Sequence, residues 1–308
     1  MRRRAKLAPD GAPLFDPTSP LTATGNLGRR AAVSRAIDSG STAAALVAVG
    51  LLGIVVYGVV SRATSVLSLD FVITNPVGLH GGGIANALLG TMVIVGFGAV
   101  IALPIGILTG LYLTEFAGQN SRTGRALKLG LDLMQGLPTI VVGLFVYGLI
   151  VLAQHKQSGF AGSIALSIVM LPLMARSAQE VLLLVPNTLR EGADALGVAR
   201  WRTVLTVILP ASAGGIATGA ILSIARAAGE TAPLLICNSL FNQSTTELNL
   251  FGHGVPSIPM LILNVSDQPD PQALNQAWGA ASVLLAFILL ANILARTLLA
   301  RTRRKMGQ

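Results

Sequence analysis

Residues 43–60 read AAALVAVGLLGIVVYGVV, without one charged side chain. A helix needs about 20 apolar residues to cross the hydrocarbon core of a bilayer. This run is the first of six such stretches, at 42–61, 85–112, 128–153, 161–175, 204–225 and 276–298. The composition agrees: 52% of the residues are hydrophobic and 11% charged, where a soluble domain carries about a quarter charged. The sequence therefore predicts an all-α polytopic membrane protein with six transmembrane helices.

The net charge of +9 could suggest a nucleic-acid partner, but the positions of the basic residues argue otherwise. Arg2, Arg3, Arg4, Lys6, Arg29, Arg30 and Arg35 precede the first span, and Arg296, Arg301, Arg303, Arg304 and Lys305 end the last. Between them, Arg122, Arg125 and Lys128 share one connection and Arg176, Arg190, Arg200 and Arg202 another. The alternating connections hold Arg62, Lys156 and, over 231–275, none. Loops rich in Lys and Arg stay in the cytoplasm. Both termini and the 113–127 and 176–203 loops are expected inside, and 62–84, 154–160 and 231–275 outside. The charge is topological, and no nucleic acid is expected. Residues 1–40, basic and proline-rich, are expected as a disordered cytoplasmic tail ahead of a membrane domain over 41–300, with a short cytoplasmic tail at 301–308.

Catalytic chemistry finds little footing. One cysteine, Cys237, can form neither an internal disulfide nor a metal cluster, and His80, His155 and His253 lack metal-ligand spacing. No GxxxxGK[ST] motif is present to grip ATP.

One basic residue falls outside the topological pattern. Arg226 ends the fifth span in ARAAGETAPLLI (225–236), with Glu230 four residues on. Residues i and i+4 share a helix face, so the two can pair if the helix continues through Gly229. An ionised side chain at the bilayer centre costs about 3 kcal/mol on insertion scales, and pairing rarely turns that into net stability. A fixed guanidinium fork suits an oxyanion, and a nearby carboxylate would keep the anion from being trapped. Arg226 and Glu230 are thus candidate pathway residues, against the alternative of a structural ion pair. Gly229 and Pro233 flank them and permit a break there, and Pro138 falls inside the third span, so these three are candidate hinge or gate positions. Arg176, at the inner end of the fourth span, is a candidate exit site for an anion or else an ordinary anchor. Glu115 is expected as an interfacial charge. A membrane phosphatase would need a nucleophile beside Arg226 and Glu230; Ser223 and Ser239 are near in sequence, but no histidine is.

The 176–203 loop, ARSAQEVLLLVPNTLREGADALGVARWR, is long for a helix connection. LREGADAL predicts a short surface helix with Glu191 and Asp194 near its start and Gly197 as its stop. Such a helix suits the groove of a soluble partner or the membrane surface. The outer stretch FGHGVPSIPMLILNVSDQ (251–268) contains an apolar run too short to cross a bilayer and is expected as a lid or docking surface.

EGADALGVARWRTVLTVILP resembles the EAA loop of ABC importer permeases. Glu191, Ala193, Gly197, Leu209 and Pro210 fall in its register, with Gly192 for the middle alanine and Val207 where isoleucine is usual. WRTVLTVILPASAGGIATGAILSIARAAGETAPLL is similar to the permeases of phosphate-specific importers, and its GETAPLL block resembles their PstA type more than their PstC type. LDLMQGLPTIVVGLF (131–145) resembles a second block shared by both types, and the resemblance spans roughly 60–300. It implies a type I importer permease (MetI-like) fold. It further implies a heterodimer with a PstC-type permease, a PstB-type ATPase dimer and a PstS-type phosphate-binding protein, in a bacterial plasma membrane. Inorganic phosphate would be the substrate and another small anion the alternative. The chain would bind no cofactor itself, with ATP and magnesium used by the ATPase. Glu191, Gly192, Ala193 and Gly197 would carry the ATPase contact.

Overall fold

A computed structural model describes residues 27–77, 82–118, 121–239 and 248–305. Residues 1–26 and 306–308 of the expected tails, and His80, lie outside them. The described residues are helical apart from connections and one isolated bridge between Pro76 and Gly82.

In chain order the helices are α1 (Leu27–Ala63), α2 (Leu69–Ile73), α3 (Ala85–Leu111), α4 (Arg122–Gly136), α5 (Thr139–Val146), α6 (Leu152–Gln154) and α7 (Gly159–Leu183). They continue as α8 (Asn187–Ala195), α9 (Arg200–Thr203), α10 (Leu209–Ala228), α11 (Ala232–Cys237), α12 (Ile258–Ser266) and α13 (Pro271–Lys305). Three π-helical turns, Tyr112–Phe116, Tyr147–Val151 and Val204–Ile208, extend or join them. The third lies just ahead of Pro210, whose ring would clash with the carbonyl of Thr206 in a regular helix. A π-bulge is a usual way to absorb such a conflict.

The chain divides at Tyr57 into two units. The first is the body of α1, with side chains exposed over 28–55, among them Val47, Leu51 and Ile54. This surface suits lipid. The helix begins at Leu27, so the expected disordered tail is helical over 27–40. Alanines and arginines favour helix there as much as in the apolar run that follows. At the other end α13 reaches Lys305, so most of the expected short tail also continues a helix.

In the second unit, from Gly58 on, α3 and α7 pack through small residues. A Cβ on Gly98 would lie 2.9 Å from the Ser163 carbonyl, and one on Gly110 2.8 Å from the Ala178 Cβ. Between helices in lipid, close backbone approach of this kind supplies the packing energy that the hydrophobic effect cannot. Leu166, Met170, Ile94 and Ala102 fill the centre. Met174, Leu182 and Ile208 form a second cluster, joining α7 to the segment before α10.

Among the described residues, five helices are long and apolar enough to span a membrane: Gly28–Ala63, Ala85–Phe116, Gly159–Leu183, Arg200–Ala228 and Pro271–Thr297. The sixth expected span, 128–153, is not one straight helix. It is a pair, Arg122–Gly136 and Thr139–Gln154, bent by 103°. Leu137 is extended (φ −70°, ψ 133°) because a residue before proline is pushed out of the helical region. α3 runs through Pro104 unbroken, whereas Pro138 sits at the corner of the pair.

Within the 231–275 connection, residues 248–266 fold onto the bundle. The Asn238 amide donates to the Val255 carbonyl and accepts from the Val255 N–H, both at 2.8 Å. The Thr91 hydroxyl accepts the Ile258 N–H at 2.9 Å. Ile258, Pro259, Met260 and Leu261 of α12 are buried. The stretch expected as a lid or docking surface is a pinned cap, its apolar run packed against α3 and α13.

Candidate functional site

Arg226 lies in the last turn of α10, which ends at Ala228. Gly229 caps it, and the chain restarts at α11 with Pro233 in the first turn, where a missing N–H costs nothing. The helix does not carry through Gly229, so the expected shared helix face is absent and the pair straddles a break. Arg226 Nε still stands 3.7 Å from Glu230 Oε1, with the Glu230 side chain 18% exposed and that of Arg226 61%. The Arg226 side chain makes no hydrogen bond among the described residues.

Arg226 lines a cavity of about 300 Å³. Its other walls include Gln135 and Leu137 at the end of α4, Thr139 and Val142 of α5, and Val169, Pro172 and Leu173 of α7. Pro172 and the residues on either side of Pro138 thus face one space with Arg226. One hinge candidate, Pro233, packs on α5: a Cβ on Gly143 would lie 2.9 Å from Pro233 Cα, so the helix after the Pro138 bend bears directly on the helix after the Gly229 break.

Arg176 is engaged. Its guanidinium forms an ion pair with Asp132 and donates to the Lys128 carbonyl at 3.3 Å and to Gln179 Oε1 at 3.1 Å. It braces α7 against α4. Ser223 is buried, and its hydroxyl donates to Gly219 of its own helix at 2.8 Å; it is not poised as a nucleophile.

The second candidate region is the long loop. The α8 helix begins at Asn187, so Glu191 and Asp194 sit in its middle and last turn rather than near its start. Gly197 follows with φ +68°, the left-handed conformation that glycine adopts without strain. Its N–H bonds the Asp194 carbonyl at 3.0 Å, and the Val198 N–H bonds that of Ala193 at 3.1 Å, closing the helix end. Glu191, Gly192 and Gly197 are exposed and Ala193 half-buried. Leu189, Leu196 and Trp201 present apolar surface beside them.

Glu115, expected as an interfacial charge, is buried within the protein at the end of its span. It lies in the π-turn ending α3, and its side chain is wholly buried. Arg190 of α8 donates to Oε1 at 2.8 Å and Arg200 of α9 to Oε2 at 3.1 Å. Arg190 also donates to the carbonyls of Leu182 and Val185, at 2.9 Å and 2.6 Å. One carboxylate thus ties α8 and α9 of the loop to the end of a spanning helix. The signal was a carboxylate ending an apolar run beside two arginine-bearing loops, which topology had absorbed as positive charge on one side.

A helical bundle with a proline-broken span, a basic residue at a cavity and an exposed loop helix clamped to its base defines a membrane transport permease. The profile of the family described as "Binding-protein-dependent transport system inner membrane component" matches residues 102–306. Three curated relatives share much of the chain. "Phosphate transport system permease protein PstA" of Haemophilus influenzae is 37% identical over 236 residues, 76% of this chain and 82% of the relative. The protein of the same name from Yersinia pestis is 41% identical over 220 residues, 71% and 72% of the two chains. "Phosphate transport system permease protein PstA 1" of Mycobacterium tuberculosis is 38% identical over 208 residues, 67% of each. The chain therefore belongs to the binding-protein-dependent transport permeases, in their PstA-type branch. A chain of the methionine ABC transporter MetNI, solved in inward-facing conformations, covers 71% of this chain and is itself covered over 94%. Its TM-score is 0.55 at 19% identity, which establishes the MetI-like fold.

Proposed function

We propose that this chain is the PstA-type permease subunit of an ATP-driven importer of inorganic phosphate. The observation that carries the reading is Arg226. Arg226 lines a cavity whose other described lining residues include no carboxylate, and among the described residues its charged partner, Glu230, stands at 3.7 Å rather than in a hydrogen bond. Phosphate is an oxyanion that a guanidinium fork recognises, and the relatives named above are phosphate permeases by name.

The chain works with others. A PstC-type permease completes the path, a PstB-type ATPase dimer supplies energy, and a PstS-type protein delivers phosphate from outside. The chain itself is not an enzyme and binds no cofactor; ATP and magnesium belong to the ATPase. Glu191, Gly192, Ala193 and Gly197 form the exposed contact with that ATPase. Both termini and the α8 loop lie on the cytoplasmic side of the plasma membrane, where the basic loops place them.

The test is reconstitution of transport. Cells that lack this chain but keep its partners are expected to lose energy-dependent uptake of labelled phosphate and to regain it with the chain restored. The chain is expected to copurify with an ATPase. Phosphatase activity in the purified chain by itself, or uptake without any ATPase, would contradict the reading.

A further inference from the structure

Hydroxyls on the spanning helices of this chain are mostly spent on their own backbone. Thr91, Thr109, Thr114, Ser163, Thr218 and Ser223 each donate to the carbonyl four residues back, at 2.7–2.9 Å. This is the usual way such a side chain is satisfied in a membrane helix. Thr139 is different. It is the first residue of α5, directly after Pro138. The residue four back, Gln135, belongs to α4, on the other side of the 103° bend. The bend removes the hydroxyl's ordinary acceptor, and Thr139 makes no side-chain hydrogen bond among the described residues. The same holds for the Gln135 amide. Both line the cavity that Arg226 borders, and the remaining lining residues are apolar.

We propose that Gln135 and Thr139 are the neutral hydrogen-bond donors that, with Arg226, hold a tetrahedral oxyanion in passing through this cavity. The inference rests on the functional reading above and assigns two residues to its site. An anion entering from water exchanges its hydration shell for protein donors. Arg226 supplies charge and a planar fork of N–H groups, the Gln135 amide two N–H donors and Thr139 one O–H. Neutral donors replace water without adding positive charge. That matters in a path, where binding must favour entry yet allow exit. Glu230, close to Arg226 but outside the cavity wall, acts in the same direction.

The experiment measures labelled-phosphate uptake in cells carrying all partner subunits, with membrane abundance and ATPase copurification followed in parallel. Thr139→Val keeps the shape and removes the donor, and Thr139→Ser keeps the donor. Gln135→Met removes the amide without touching the first residue of α5. The expected result is a maximal uptake rate lower by about tenfold or more for Thr139→Val and for Gln135→Met, the loss associated with a hydrogen bond to a charged group. The half-saturating phosphate concentration stays unchanged, because capture occurs before this cavity. Assembly stays normal, and Thr139→Ser retains most of the rate. Wild-type rates in both Thr139→Val and Gln135→Met would overturn the proposal. So would a serine variant that assembles normally and fails as badly as the valine variant. A wild-type complex that carries no phosphate would instead overturn the functional reading beneath it.

Discussion

Arg190 reaches across from the α8 loop to the buried carboxylate of Glu115 at 2.8 Å, and Arg200 meets the other oxygen at 3.1 Å. The Arg190 side chain is itself only 13% exposed. A buried ion pair of this kind is weak support for net stability, but removing one member strands the other. Its consequence here is positional: displacement of α8 pulls on the end of α3.

Glu115→Ala therefore leaves Arg190 buried without its counter-charge. The expected loss is about 3 kcal/mol of stability, seen as earlier thermal unfolding of the purified complex and less copurifying ATPase. Glu115→Leu combined with Arg190→Met is expected to recover much of the stability while phosphate uptake stays low. Recovery of both would reduce the pair to packing.

Gly197 separates backbone from side-chain effects, because a Cβ there meets nothing within 4 Å while its φ is +68°. Gly197→Asn is expected to assemble almost normally, since asparagine tolerates this conformation. Gly197→Val is expected to lose about 1–2 kcal/mol of local stability and to weaken ATPase copurification. Gly197→Arg adds bulk to the exposed surface and is expected to abolish coupling with membrane insertion intact. Normal uptake in the arginine variant would refute the ATPase contact.

Gly90 and Gly96 lie on the same helix and predict opposite outcomes. A Cβ on Gly90 would fall directly on the Pro256 carbonyl oxygen, whereas one on Gly96 meets nothing within 4 Å. Gly90→Ala is expected to displace the 248–266 cap at a cost of about 1–3 kcal/mol, measured as reduced abundance and faster proteolysis of that cap. Gly96→Ala is expected to match the wild type on both measures.

Much of this architecture is legible in the residues because lipid imposes a simple code. Apolar runs long enough to span reveal helices, and the distribution of arginines suggests sidedness. Gly197 was legible as a helix stop because few other residues adopt its conformation. What escaped reading depends on distance in three dimensions. Pro104 and Pro138 look alike in sequence, yet only Pro138 ends a helix, because Leu137 is extended and α4 is rich in charge. Glu115 was read only as an interfacial charge, because its burial depends on Arg190 and Arg200 from a loop 75 and 85 residues away. Gln135 and Thr139 carried no signal, since their lack of intrahelical partners follows from a bend that the apolar pattern hides.

The central claim is that Arg226 serves the anion rather than the fold. Its most direct test is labelled-phosphate uptake in cells expressing Arg226→Gln with every partner subunit present, alongside membrane abundance and ATPase copurification. The side chain is 61% exposed and held to Glu230 only at 3.7 Å, so the account predicts normal abundance and assembly with uptake lost. Uptake at the wild-type rate, or uptake lost only because the chain no longer accumulates, would contradict it.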